Sequence, residues 1–138
     1  VSLGDLNGDS RPDIVVANIT SGEISVLLNT GDGGLQPQQR YDVGSRPSST
    51  SLGDMNEDGW LDAVVANSES NDISVLLGKG DGSFQPQQRF SAGDAPRSLA
   101  VGDLNGDDAL DMAVSNRLSN HVSILLGNGE GSFQAHQS

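Results

Sequence analysis

A set of oxygen-bearing side chains recurs at fixed spacing along the chain, and its chemistry suits a cation. Each set has the pattern Asp-x-Asn-x-Asp-x-x-x-Asp, and successive sets lie 49 residues apart. Such a run places several hard oxygen donors on one short loop, as a divalent cation such as calcium requires. The side-chain members are Asp5, Asn7, Asp9, Asp13, Asp54, Asn56, Asp58, Asp62, Asp103, Asn105, Asp107 and Asp111.

These Asp and Asn residues have a simpler alternative role, since both side chains bond to nearby backbone groups in ordinary turns. Each of the three sets, however, follows a glycine and ends at an Asp that opens an apolar segment. Three loops in one register favour metal binding over turn formation. We therefore predict one calcium ion per repeat and three per chain.

The loops belong to a repeat that spans the whole chain. The segments NTGDGGLQPQQR, GKGDGSFQPQQR and GNGEGSFQAHQS begin at Asn29, Gly78 and Gly127, again 49 residues apart. Periods of this length are typical of propeller blades, solenoids and arrays. We expect a single segment of three repeats, the last of them truncated, with the bounds 1–49, 50–98 and 99–138.

Strand signals decide among these architectures. DIVVAN, DAVVAN and DMAVSN each start at the last Asp of a loop, and EISVLLN, DISVLLG and HVSILLG follow closely enough to form hairpins. A strand should also precede each loop, as at Ser51, and another is predicted from Ser83. No segment keeps apolar residues at helical spacing for three turns. Four short antiparallel strands per repeat predict an all-β fold of β-propeller blades.

Three segments of the chain resemble the integrin-alpha-like propeller family, which is built from FG-GAP or VCBS repeats. They are GDLNGDSRPDIVVAN, GDMNEDGWLDAVVAN and GDLNGDDALDMAVSN, with LLGxGxGSFQ turns in the second and third repeats. The resemblance implies that each acidic loop joins two strands of a blade and holds one calcium ion through loop positions 1, 3, 5 and 9. It also implies a backbone carbonyl ligand at position 7, from Arg11, Trp60 or Ala109.

The loop shares only its first half with an EF-hand loop, whose positions 1, 3, 5 and 7 supply oxygens. Val16, Val65 and Val114 stand where an EF-hand has its bidentate Glu, so the ninth-position Asp is expected to close the shell. Position 6 favours positive φ, and only the second loop has glycine there. Ser10 suits this geometry less well than Asp108, so we expect the first loop to bind most weakly.

The charge balance is consistent with metal loops and limits the partners. Nine of the 19 acidic residues lie at proposed ligand positions, and the net charge is -12. Carboxylate repulsion in the metal-free chain should couple folding to calcium binding. The seven basic residues are expected to be scattered, which argues against nucleic acid and anionic membranes as partners. No apolar segment approaches the roughly 20 residues that cross a bilayer.

The remaining composition favours an interaction module over an enzyme. The two histidines, His121 and His136, do not recur in register with a Ser or an acid that would form a triad. Since calcium is plentiful outside cells, we expect a secreted or cell-surface protein with a structural, adhesion or protein-interaction role. A carbohydrate-binding lectin is the alternative, although five aromatic residues are few for sugar sites. A hydrolase ranks third.

Three blades cannot close a propeller by themselves, because closure requires at least four. Two arrangements stay open at this point: a piece of a propeller of six to eight blades, or a two-chain ring of about six. Trp60 also stands alone at loop position 7. It is either an exposed contact residue or, as we favour, a ring that packs on the edge of a neighbouring blade.

Overall fold

A computed structural model describes residues 1–134 of the chain. These residues form eleven β-strands and contain no helix that could cross a membrane. The strands are β1 Ser2–Gly4, β2 Asp13–Asn18, β3 Glu23–Leu27, β4 Gln39–Asp42, β5 Pro47–Gly53, β6 Asp62–Asn67, β7 Asp72–Leu76, β8 Gln88–Ser91, β9 Pro96–Gly102, β10 Asp111–Asn116 and β11 His121–Leu125.

The strands pair in chain order into three antiparallel sheets. Sheet 1 has the order β1-β2-β3-β4, sheet 2 the order β5-β6-β7-β8, and sheet 3 contains β9, β10 and β11. Equivalent pairs keep the same register, since Val15 lies opposite Val26 in sheet 1 and Val64 opposite Val75 in sheet 2. The prediction of an all-β fold with antiparallel four-stranded sheets is confirmed. The end of the third repeat, including His136, lies outside the described residues.

The fourth strand of a complete sheet starts later than the sequence predicts. β8 begins at Gln88, whereas the strand was expected from Ser83. Between these residues Phe84 forms only an isolated bridge with Gly78. Pro86 then follows, and it has no N–H with which to continue a ladder. The predicted start at Ser83 is therefore wrong, because Pro86 separates the bridge at Phe84 from the strand.

Two apolar cores lie between consecutive sheets, and sheet 2 contributes to both. Val65 and Leu76 of sheet 2 pack with Val15, Ile24 and Val26 of sheet 1. The other face of sheet 2 presents a similar set to sheet 3. This second core contains Val64, Ile73, Val75, Met112 and Leu125. Burial of a side chain of this size stabilises the fold by about 1.5 to 3 kcal/mol.

Burial on both faces explains why the strands of sheet 2 are uninterrupted apolar runs. Successive side chains of a strand point to opposite faces. Val64 and Val65 therefore enter different cores, and both are completely buried. A sheet covered on one side only would show alternating polar residues instead.

The outer faces of sheets 1 and 3 are uncovered in residues 1–134. Leu104 is 54% exposed, whereas Leu6 and Met55, its equivalents in the other repeats, are 4% and 1% exposed. Val122 is likewise exposed although its equivalent Ile73 is buried. The described residues therefore form an open stack of three sheets.

Candidate metal centre

Each acidic loop connects the first and second strands of its sheet, and each contains two left-handed residues. At loop position 6, φ is +65° at Ser10, +88° at Gly59 and +70° at Asp108, as the sequence predicts. Position 4 is left-handed as well, which the sequence analysis missed. The residues at position 4 are Gly8, Glu57 and Gly106.

The second left-handed position removes the basis for ranking the loops by strain. The first loop has one non-glycine residue with positive φ, Ser10. The second and third loops also have one each, Glu57 and Asp108. Every loop therefore contains one glycine and one strained residue, each strained residue costing about 1 kcal/mol. The expectation that the first loop binds most weakly loses its physical support.

The first Asp of each loop forms the centre around which the backbone folds. Asp5 Oδ1 accepts hydrogen bonds from the N–H groups of Asn7, Gly8 and Asp9 at 3.3, 2.8 and 3.2 Å. Asp5 Oδ2 accepts from the Ser10 N–H at 2.7 Å. Burial raises the pKa of Asp5, but these donors outweigh it, and the pKa lies below its usual value. The carboxylate is thus held in its charged form.

The third loop repeats this arrangement around Asp103. Its carboxylate accepts hydrogen bonds from the N–H groups of Asn105, Gly106 and Asp108 at 3.2, 2.7 and 3.2 Å. The hydrogen bond from Gly106 is the main cause that holds the pKa of Asp103 below its usual value. A fixed negative charge therefore lies at position 1 of the first and third loops.

Side chains at positions 3 and 5 are in direct contact in all three loops. Asn7 Nδ2 donates to Asp9 Oδ2 at 3.2 Å, and the same bond is 2.8 Å long in the second and third loops. The position-7 N–H donates to the position-5 carboxylate, as from Arg11 to Asp9 at 2.9 Å. The side chains at positions 3 and 5, which are two of the predicted metal ligands, thus lie side by side.

The ninth-position Asp has a role that the sequence analysis missed, because it ties the loop to the Gly-rich turn. Asp13, Asp62 and Asp111 are completely buried. One oxygen of each accepts the N–H of loop position 2, at 3.0, 2.8 and 2.8 Å. The other accepts the N–H of Asn29, Gly78 or Gly127 at 2.8, 2.7 and 2.8 Å. These carboxylates are structural clamps, whatever else they bind.

The clamp in the second repeat is electrostatically costly. Burial raises the pKa of Asp62 to about 6, against hydrogen bonds from Gly78 and Met55 that lower it. The neighbouring carboxylates of Asp58 and Asp54 raise it further. A cation close to these three acids would relieve both effects.

The first two loops are also held by the Gly-rich turn of the following repeat. The Gly82 N–H donates to the Leu6 carbonyl at 2.9 Å, and the Gly131 N–H donates to the Met55 carbonyl at 3.0 Å. A Cβ on Gly82 would approach the Leu28 side chain to 2.7 Å. Close packing of this kind requires glycine. The first and second loops therefore lie at the junctions between consecutive sheets.

The donor types fit calcium, but the side chains do not surround a common point. Each loop offers three carboxylates, one amide oxygen and a backbone carbonyl, all of them hard oxygen donors. In residues 1–134, no group of three acidic or histidine side chains is close enough to hold a metal ion. The amide of Asn7 also directs its nitrogen toward Asp9. Calcium binding would require these side chains to rotate.

A family model matches the chain over the region that contains all three loops. The model describes an FG-GAP-like repeat and matches residues 5–65 and again residues 54–114. Both matches start at the first Asp of a loop, and together they cover more than half of the chain. The chain belongs to the FG-GAP-like repeat family.

Two solved structures are similar to this FG-GAP-like chain. The Photorhabdus luminescens Tc holotoxin pore matches 97% of the chain and 7% of its own, with 17% identity and a TM-score of 0.55, which supports a shared fold. The V. cholerae biofilm matrix protein Bap1 matches 95% of the chain and 27% of its own, with 20% identity and a TM-score of 0.43. The chain thus spans a small part of each. No curated protein matches it.

Trp60 bridges two repeats of the FG-GAP-like chain. A Cβ built on Gly80 would come within 2.4 Å of its ring, and a Cβ on Gly8 in the first loop within 3.3 Å. The ring therefore lies against the preceding loop, but 41% of the residue stays exposed, so neither the packed nor the exposed interpretation of Trp60 holds alone. Apart from the two glycines, nothing in the sequence indicated this contact.

His121 is exposed at the start of β11, in agreement with the sequence analysis. Its Nδ1 lies 3.1 Å from the Ser119 carbonyl oxygen. Neither a serine hydroxyl nor a carboxylate of the described residues bonds to this ring.

Proposed function

We propose that this FG-GAP-like chain is a calcium-binding segment of a β-propeller. It serves as a structural, adhesion or protein-interaction module of an extracellular protein and has no catalytic activity of its own. The observation that carries the proposal is the identical construction of three oxygen-rich loops, each clamped by a buried Asp. The first two of these loops also contact the Gly-rich turn of the next sheet.

Calcium at this junction would supply positive charge where carboxylates accumulate. In the second loop the ligands would be Asp54, Asn56, Asp58, Asp62 and the Trp60 carbonyl, with equivalent residues in the other two loops. The Asn amide must rotate to present its oxygen, and the Asp carboxylates at positions 1 and 5 must turn from backbone N–H groups toward the ion. Since the same loops support the neighbouring sheet, ion binding would stiffen the whole stack.

The contacts between sheets support the propeller arrangement. In a propeller, the first strands of the blades line the central channel and lie closest together. Here the Ser2 hydroxyl of β1 donates to the Thr50 carbonyl of β5 at 2.8 Å. The Ser48 hydroxyl of β5 donates to the Pro96 carbonyl of β9 at 2.9 Å. The sheets therefore approach one another most closely at their first strands, as blades do.

The two uncovered sheet faces support a further partner of the same repeat type. Their residues are equivalent to buried residues of the sheet 1–sheet 2 and sheet 2–sheet 3 junctions, as Leu104 is to Leu6. A second copy of the chain or additional repeats of a longer parent chain would cover both faces. The protein or glycan that the assembled module recognises is a separate question.

The same chemistry supports the proposed extracellular location and the proposed lack of catalysis. Shallow loops built from single turns suit the high calcium concentration outside cells. The clustered acids of the loops are engaged in loop and clamp hydrogen bonds, and His121 has no acid partner within the described residues.

The test is thermal unfolding with and without calcium. We expect calcium to raise the unfolding midpoint of chelator-treated protein in a concentration-dependent way, because the ion binds the folded state alone. Magnesium at the same concentration serves as the control, since it prefers a tight octahedral shell with several waters. An unfolding midpoint that does not change with calcium concentration would overturn the proposal and would mean that the loops are ordinary turns.

A further inference from the structure

Three arginines line one cavity between sheets 2 and 3, at the end of the strands opposite the acidic loops. The cavity has a volume of about 380 Å³ and includes Arg46, Arg97 and Arg117 in its lining. The chain has only seven basic residues. The expectation that they are scattered is therefore wrong for these three.

The other three arginines of the chain are paired with acids. Arg11 lies 3.4 Å from Asp9, Arg40 lies 3.4 Å from Glu23, and Arg89 contacts Asp72. No such ion pair involves the cavity arginines within residues 1–134. In a chain of net charge -12, three cations without carboxylate partners are available for a ligand.

The fold does not require arginine at these positions. Arg46 is equivalent to Ala95, one repeat later. Arg97 and Arg117 are equivalent to Ser48 and Ser68, one repeat earlier. The corresponding region between sheets 1 and 2 consequently has a single arginine, Arg46. The cluster is specific to the second junction, so it is not a by-product of the repeat.

The backbone under the arginines is fixed by hydrogen bonds. The Arg46 carbonyl accepts from the N–H and the hydroxyl of Ser68, both at 3.0 Å. The Arg117 N–H donates to the Ala95 carbonyl at 3.0 Å. Asn71 Oδ1 accepts from the Ala95 N–H at 2.8 Å, which leaves the Asn71 Nδ2 as a further donor at the cavity.

We propose that this cavity binds the dianionic phosphate group of an organic phosphate monoester. Three guanidinium groups and the carboxylate of Glu69 leave two net positive charges at the cavity, which matches a phosphate monoester near pH 7. One guanidinium group can donate two parallel hydrogen bonds to two oxygens of a phosphate group. The volume exceeds what a phosphate ion alone would fill, and Leu118 supplies an apolar wall for the organic part.

The site is independent of the calcium proposal, because it uses none of the loop residues. Its test is an NMR titration of the folded 138-residue chain with methyl phosphate. We expect saturable shifts at the side chains of Arg46, Arg97 and Arg117. Methyl sulfate has a similar shape but one negative charge fewer, and its affinity for the cavity should be lower by at least about tenfold. Inorganic phosphate should also bind more weakly than the ester.

Substitutions taken from the chain's own repeats keep the fold intact while removing the charge. Arg97→Ser and Arg117→Ser should each weaken methyl phosphate binding by about tenfold or more, the loss typical of a charge-assisted hydrogen bond. Arg40→Gln removes the same charge from an ion pair outside the cavity and should leave the affinity unchanged. Shifts that do not saturate, or an equal loss in Arg40→Gln, would overturn the proposal.

Discussion

The buried carboxylate of Asp62 accepts a 2.7 Å hydrogen bond from the backbone N–H of Gly78, a residue 16 positions further along the chain. Its second oxygen accepts the Met55 N–H at 2.8 Å. One side chain thereby joins the start of the acidic loop to the Gly-rich turn. The same connection recurs in the other two repeats, through Asp13 and Asp111.

Removal of a clamp should destabilise the protein even without calcium. Asp13→Ala leaves the N–H groups of Leu6 and Asn29 without their acceptor, and an unsatisfied buried donor costs about 1 to 3 kcal/mol. We expect a loss of about 2 to 5 kcal/mol in the unfolding free energy, measured by urea denaturation in chelator. Asp9→Ala removes a half-buried carboxylate from the same loop, whose ion pair with Arg11 lies at the surface, and should cost less, about 1 kcal/mol.

The clamp of the second repeat should make the calcium-free protein sensitive to pH. Burial raises the pKa of Asp62 from the ordinary 3.8 to about 6. Because the folded-state pKa of Asp62 is raised, its contribution to stability is fully present below pH 3.8 and is lost as the pH rises through about 6. The unfolding free energy should therefore fall over this window, and Asp62→Asn should flatten the fall.

Two other acids act in a different pH window and provide the contrast. The pKa values of Asp5 and Asp103 are lowered, so their contribution is lost only as the pH falls below the ordinary value of 3.8. A carboxyl titration by NMR would separate the three groups. An Asp62 carboxyl that titrates near its ordinary value would contradict this pH dependence, because the clamp hydrogen bonds from Gly78 and Met55 would then offset the effect of burial.

The packing of Trp60 predicts a difference between two glycines of similar backbone. Gly80→Ala places a methyl group 2.4 Å from the Trp60 ring at a φ of +74°, whereas Gly33→Ala, at a φ of +88°, meets nothing within 4 Å. Both changes incur a left-handed penalty of about 1 kcal/mol. Gly80→Ala should cost about 1 to 3 kcal/mol more, as overpacking does. Equal losses in thermal unfolding would show that the ring is not held there.

The uncovered sheet faces predict association of the isolated chain. Light scattering should give a particle of two chains in calcium, in which Val122 of one copy faces sheet 1 of the other. Val122→Lys should yield a monomer, because a charge would enter an apolar junction. Ile19→Lys changes an equally exposed residue at a hairpin and should leave the mass unchanged. A wild-type monomer at all concentrations would favour additional repeats of a longer chain instead.

Local features were predictable from the sequence because they depend on local chemistry. The 49-residue period, the hairpin strands and the left-handed Ser10 follow from side-chain alternation and turn geometry. The start of β8 at Gln88 was not predicted, since the strand signal of Phe84 precedes Pro86 and belongs only to an isolated bridge.

Features that join distant segments were beyond the sequence. The clamp between Asp13 and Asn29 and the contact between Gly82 and Leu6 depend on how the chain returns to the loop. The same is true of the arginine cavity, whose arginines come from a linker, the start of β9 and a hairpin turn. The spacing identified the acids of each loop as a set, but it did not reveal that the Asp at loop position 9 holds the Gly-rich turn.

Isothermal titration of chelator-treated protein with calcium tests the central claim most directly. We predict saturation at about three ions per chain, one for each acidic loop. Asp58→Asn should reduce the number to about two, whereas Asp81→Asn, which removes the same charge from a turn outside the loops, should leave three. Absence of calcium binding by the wild-type chain would contradict the account.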